Sequence, residues 1–82
     1  MNICVRLFAG LREIIGQREV RLELPEGATV GDLRQELSNR YPAIVPFLNT
    51  LVCAVNQEYT PSEHCLREGD EVALIPPVSG GR

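Results

Sequence analysis

Lysine and tryptophan are absent from this sequence, histidine occurs once, and phenylalanine and tyrosine occur twice each. All eight basic residues are arginine and they are scattered. With a net charge of −3, the chain therefore has neither a stripe to track phosphates nor a polybasic patch for a membrane surface. Nucleic acid and membrane are not expected partners. The lack of lysine also leaves no side-chain amine open to acylation. Cys4, Cys53 and Cys65 form an odd set without a C-x-x-C pair, and His64 alone cannot complete a zinc site. Neither a disulfide framework nor a bound metal is expected. The cysteines read as small apolar or surface residues and His64 as a loop residue. No apolar run approaches the ~18 residues of a membrane-spanning helix. Met1-Asn2-Ile3-Cys4 leads into a strand pattern without the charged and apolar regions of a secretory leader. The expected location is cytoplasmic.

What is present suits one small core. At 82 residues, 44% hydrophobic and 23% charged, the chain has the composition of an ordinary globular domain and not that of a disordered one. Residues 3–8 alternate, with Ile3, Val5 and Leu7 on one face and Cys4, Arg6 and Phe8 on the other. Residues 18–24 repeat the pattern with Val20, Leu22 and Leu24 inward, so the two segments are predicted to pair as a hairpin. Between them Leu11, Ile14 and Ile15 are spaced as on a helix that stops at Gly16. Pro25-Glu26-Gly27 is turn chemistry. Thr29 with Asp32 three residues later is a capping signature, and Val30, Leu33, Leu37 and Tyr41 then give a helix one apolar face, ended by Tyr41-Pro42. Ile44, Val45, Phe47 and Leu48 are expected as a turn or 3₁₀ piece packed under the sheet. Residues 51–55 read as a third strand, Asn56-Gln57 as the turn after it, and Leu66 as an isolated core plug. Residues 71–75 read as the last strand. This order predicts an α+β fold, a mixed sheet with one main helix across one face, for which the β-grasp arrangement is the best fit. Its first and last strands would lie side by side in the middle, and its C-terminus would leave the sheet edge as a free, extended arm. The expected boundaries are a domain over residues 1–76 and a flexible diglycine tail over residues 77–82.

The tail carries the chemistry. Pro76-Pro77 cannot donate to a sheet ladder, so the chain must leave the domain. Six residues from Pro76 to Gly81 reach about 20 Å at roughly 3.3 Å each. Gly80-Gly81 has no side chains and can thread a channel too narrow for any Cβ, as an enzyme needs when it must reach a main-chain carboxylate. Adenylation by ATP would give such a carboxylate a leaving group, and a sulfur donor could then convert it to a thiocarboxylate. The same small residues would also serve as a frayed end without a role.

Phe8-Ala9, Leu11-Arg12-Glu13, Gly16, Ala54-Val55-Asn56-Gln57, Gly69-Asp70-Glu71-Val72-Ala73 and the closing Pro76-Pro77-Val78-Ser79-Gly80-Gly81 resemble the sulfur-carrier subunits of molybdopterin synthase, a ubiquitin-like β-grasp family. The resemblance spans nearly the whole chain. It implies a sulfur-donor subunit, not itself catalytic, that forms a transient acyl-adenylate and then a thiocarboxylate at Gly81 and binds no cofactor. Its sulfur would build the dithiolene of molybdopterin. The implied partners are an E1-like adenylating enzyme, a sulfurtransferase and the large synthase subunit, the last in a heterotetramer. By the same resemblance Gly81 bears the sulfur, Gly80 gives access, Phe8, Tyr59 and Ile75 form an apolar contact surface, Arg12 makes a charged contact with the adenylating enzyme, and Pro76, Pro77 and Val78 lie in the arm the partner grips. A thiamin-pathway sulfur carrier and a ubiquitin-like protein modifier are the alternative readings. Arg82 departs from the family, whose chains end at the second glycine. The Gly81 carbonyl is here an amide, so either a carboxypeptidase removes Arg82 before activation or Arg82 is not native to the mature protein.

Overall fold

The computed structural model describes residues 1–76, so the expected tail, residues 77–82, lies outside the described residues. Strands β1 (Asn2–Leu7), β2 (Glu19–Glu23), β3 (Val52–Val55), β4 (Glu58–Tyr59) and β5 (Glu71–Ile75) form one sheet in the order β2-β1-β5-β3-β4. Helix α1 (Ala9–Ile15) connects the first hairpin, α2 (Val30–Arg40) crosses one face, and a 3₁₀ segment, Pro42–Thr50, leads into β3. β1 and β2 are antiparallel, and β1 and β5 run parallel at the centre, with Val5 beside Val72 and Leu7 beside Leu74. This is the β-grasp expected from the order of elements.

Alternation accounts for the core. Ile3, Val5, Leu7, Val20, Leu22 and Leu24 are all buried on the face that α2 covers with Val30, Leu33 and Leu37. Tyr41 packs against this cluster while partly exposed, and Leu66 plugs it from the loop before β5. Gly16 ends α1 at φ 85, a left-handed conformation that a side chain disfavours. The Thr29 hydroxyl accepts from the Asp32 amide, and the Asp32 carboxylate accepts from the Thr29 amide. Because that reciprocal cap satisfies two of the helix's orphan N–H groups, Thr29→Ala is expected to cost about 1 kcal/mol in urea unfolding.

Three expectations need correction. Residues 58–59 form a fifth strand, β4, too short for its alternation to register in sequence. It is created by Asn56 and Gln57, both at positive φ (49 and 74), which turn the chain back so that Ala54 pairs with Tyr59. The 3₁₀ segment is only half buried. Ile44 is enclosed and Leu48 packs against the core, with the Leu48 carbonyl accepting from the Arg34 guanidinium, but Val45 and Phe47 are exposed because three residues per turn spread four apolar side chains around the axis. Finally, the chain does not leave from the sheet edge: it leaves from the end of β5, a central strand flanked by β1 and β3.

Candidate functional site

The exit of the C-terminal segment is built by register. Leu7 pairs in parallel with Leu74, so Phe8 falls beside Ile75, and Val52 pairs with Ile75 from the other side. Ala9, held at φ 50, turns the chain sharply out of β1 into α1, a left-handed conformation that costs an alanine about 1 kcal/mol or more. The turn leaves Phe8 at the rim of the sheet as the residue that precedes α1, 38% exposed.

The sheet face turned away from α2 is divided. Toward β2 it is charged: Asn2 pairs with Glu23, Cys4 with Arg21 and Arg6 with Glu19. Toward β4 it is apolar: Val52 pairs with Ile75, and Ala54 with both Ala73 and Tyr59. Here Phe8, Ala54, Tyr59 and Ile75 line an open groove of about 400 Å³, closed at one end by Arg6 and Glu71, whose side chains approach to 3.5 Å. Ala54 is buried yet lies outside the main core cluster and forms the groove floor, which its small side chain makes possible. Tyr59 is 74% exposed, far beyond what a tyrosine needs to keep its hydroxyl wet. Three residues assigned by resemblance to one contact surface, Phe8, Tyr59 and Ile75, are thus brought together by two strands and a loop distant in sequence. Arg12 stands apart, exposed on the last turn of α1. Pro76 is the last described residue; Pro77, Val78, Gly80 and Gly81 lie outside the described residues.

The groove's floor and its charged end were not foreseen. The turn read at Asn56-Gln57 was the one available signal, since an asparagine, which enters positive φ more readily than most residues, directly after a strand is compatible with a tight return.

Cys4 and Cys53 are poorly suited to chemistry. Burial pushes the Cys53 thiol up, and burial, followed by the Glu19 and Glu71 carboxylates, pushes Cys4 up as well, away from the thiolate that a nucleophile needs. Cys65 is exposed in the loop bridged to Thr29. Among the described residues no group of three or more His, Cys, Asp or Glu side chains is placed to hold a metal ion, and no helix is long and apolar enough to cross a membrane.

A sheet that grasps one helix and releases the C-terminal segment from its central strand defines a ubiquitin-like β-grasp protein. Residues 5–81 match the ThiS family. The chain is 43% identical over 83 residues to the molybdopterin synthase sulfur carrier subunit of Chlamydomonas reinhardtii, covering 99% of this chain and 100% of that relative. It is 37% identical over 81 residues to the subunit of the same name in Arabidopsis thaliana, covering 99% of this chain and 84% of that one. Among solved structures it is similar to the small archaeal modifier protein SAMP1 of Haloferax volcanii, with a TM-score of 0.89 at 34% identity over 99% of this chain and 100% of the other. The chain belongs to the ThiS family, and within it to the molybdopterin synthase sulfur carrier subunits.

Proposed function

We propose that this chain carries sulfur for molybdopterin synthase as a thiocarboxylate at Gly81, activated through an acyl-adenylate formed with ATP. The observation that carries the reading is end-to-end similarity to curated sulfur carrier subunits, at 43% and 37% identity, that extends into the closing glycines. A side-chain-free terminus suits the task, because an adenylating enzyme must bring a main-chain carboxylate against the α-phosphate of ATP, and sulfur must then displace AMP at the same carbon. The chain's own contribution is to present that carbon; catalysis resides in its partners, an E1-like adenylating enzyme, a sulfurtransferase and the large synthase subunit, the last in a heterotetramer. The groove of Phe8, Tyr59 and Ile75 is the surface on which those partners dock, and Arg12 offers a separate charged contact to the adenylating enzyme.

Incubation with ATP, the adenylating enzyme and a sulfur source tests the reading by intact mass, in which sulfur in place of oxygen adds about 16 Da. Absence of that species from a chain ending at Gly81 would sink it. Reconstituted dithiolene formation with the molybdopterin synthase large subunit separates this pathway from thiamin thiazole synthesis. Docking is tested by Tyr59→Ala. An exposed side chain leaves folding intact, whereas a central aromatic anchor contributes about 2 kcal/mol, so affinity for the large subunit should fall by roughly 30-fold in calorimetry.

A second reading, ubiquitin-like modification of other proteins, is favoured by one observation, the similarity to an archaeal protein named as a modifier. It predicts Gly81-dependent conjugates on the lysines of other proteins, read by immunoblot. Their absence under conditions that support thiocarboxylate formation removes it.

A further inference from the structure

Positive φ is divided unevenly between glycine and the other residues. Gly16, Gly27 and Gly69 take it at φ 85, 84 and 83, where there is no Cβ to clash, and none of them lines the groove of Phe8, Tyr59 and Ile75. Among the described residues, the side-chain-bearing positions at positive φ are Ala9, Asn56 and Gln57, at φ 50, 49 and 74. All three stand in the two turns that deliver the groove's aromatic residues: Ala9 directly follows Phe8, and Asn56-Gln57 return the chain to Tyr59. Asn56 has a local reason for its place, since its carboxamide donates to the Asp70 carboxylate and accepts from the Glu71 amide. Gln57 lines the groove itself. Ala9 has neither reason: it is exposed and lies outside the groove lining.

We propose that Ala9 is a positioning residue, kept in a left-handed conformation so that Phe8 stands preorganised for the partner that docks on the groove. The turn is pinned from both sides. Leu7, before it, is enclosed in the core and its amide donates to the Arg18 carbonyl. Leu11, after it, is enclosed as well, and its amide donates to the Phe8 carbonyl. The chain must pass from β1 into α1 between these anchors, and a strained residue persists only where its surroundings determine it in this way. A glycine at position 9 would make the same turn without the clash of Cβ against the following carbonyl. It would also open backbone angles closed to alanine, and Phe8, 38% exposed at the sheet rim, would sample them. Alanine removes that freedom before the partner arrives, so less of it is lost on docking. The fold is less stable for it and the docking surface better defined, a trade-off of the kind found where function and stability compete. The assignment of a partner to the groove rests on the carrier reading.

The test measures stability, order and affinity in the full chain carrying Ala9→Gly. Its thermal unfolding midpoint should be unchanged or raised by up to about 5 °C, because relief of the left-handed clash matches or exceeds the chain entropy that glycine adds. The backbone order parameter of Phe8 in the free chain, from nitrogen relaxation, should fall from about 0.85 toward about 0.6. Affinity for the molybdopterin synthase large subunit, by calorimetry, should fall by about three- to ten-fold, the effect of having one more side chain to immobilise. Ala9→Asn is the rescue. Asparagine enters the left-handed region readily and keeps a Cβ, so its affinity should stay within about two-fold of the native chain. Unchanged Phe8 order or unchanged affinity in Ala9→Gly overturns the proposal. A lowered unfolding midpoint in that variant also overturns it, by making Ala9 a residue of the fold alone. Equal weakening by Ala9→Asn does so too, by showing that the partner touches the alanine methyl itself. Tyr59→Ala in the same titration separates the two readings. Binding undiminished by Tyr59→Ala defeats docking on the groove, whereas binding weakened by Tyr59→Ala and untouched by Ala9→Gly defeats this inference alone.

Discussion

A chain ending at Gly81 should gain about 16 Da when incubated with ATP, the adenylating enzyme and a sulfur source, and the chain that still carries Arg82 should gain nothing. The difference is one of functional group. Adenylation needs a carboxylate oxygen to attack the α-phosphate of ATP, and with Arg82 attached the Gly81 carbonyl is a resonance-stabilised amide with no such oxygen. The arginine adds a long charged side chain where the two preceding residues have none. Treatment with a carboxypeptidase specific for basic residues should therefore convert an inert protein into a fully loadable one, followed in the same mass spectrum. Gly80→Val on the trimmed chain should lower loading by about 100-fold, the order expected when a reacting group is displaced by about 1 Å, while thermal unfolding stays unchanged. Full loading with Arg82 still in place would refute the requirement for trimming.

Leu33→Ala should be among the most damaging single changes to the fold. Leu33 is completely enclosed, on the turn of α2 that faces the central strands, and a leucine truncated in such a site costs about 2 to 5 kcal/mol in lost transfer energy and residual cavity. A domain of this size has a total stability of roughly 4 to 12 kcal/mol, so the variant should lose a large part of it, with the midpoint of thermal unfolding lowered by about 10 °C or more. Phe47→Ala provides the contrast. Its ring is 45% exposed on the 3₁₀ segment, and its removal should cost less than half as much despite the larger side chain. Calorimetry on the two variants side by side checks the prediction; equal losses would mean that the 3₁₀ segment is a structural part of the core.

The residues themselves disclose the long elements of the molecule. The inward faces of β1, β2 and α2 follow from periods of 2 and 3.6, because burial on one side of a strand or helix repeats with the geometry of its backbone. The capping box at Thr29 and Asp32 and the stop at Gly16 follow from local chemistry. Even the core plug Leu66 stood out as a lone apolar residue in a polar loop. Elements with too few residues to show a period were not legible. β4 has two residues, and the 3₁₀ segment distributes its apolar side chains among three faces, so which of Ile44, Val45, Phe47 and Leu48 is buried was decided by what stands against each of them.

The sequence by itself determined the composition of residues 76–82: two prolines that cannot extend a sheet, two glycines without side chains, and an arginine after them. It also determined which faces of the long elements are apolar. Only the tertiary structure decided what surrounds Pro76, the last described residue. Parallel pairing of β1 with β5 and antiparallel pairing of β3 with β5 join segments some 20 to 70 residues apart, and hydrogen-bond register between distant strands is a collective result of core packing that no local pattern encodes. That register makes one groove from Phe8, Tyr59 and Ile75, and a second from α1, the 3₁₀ segment and Pro76.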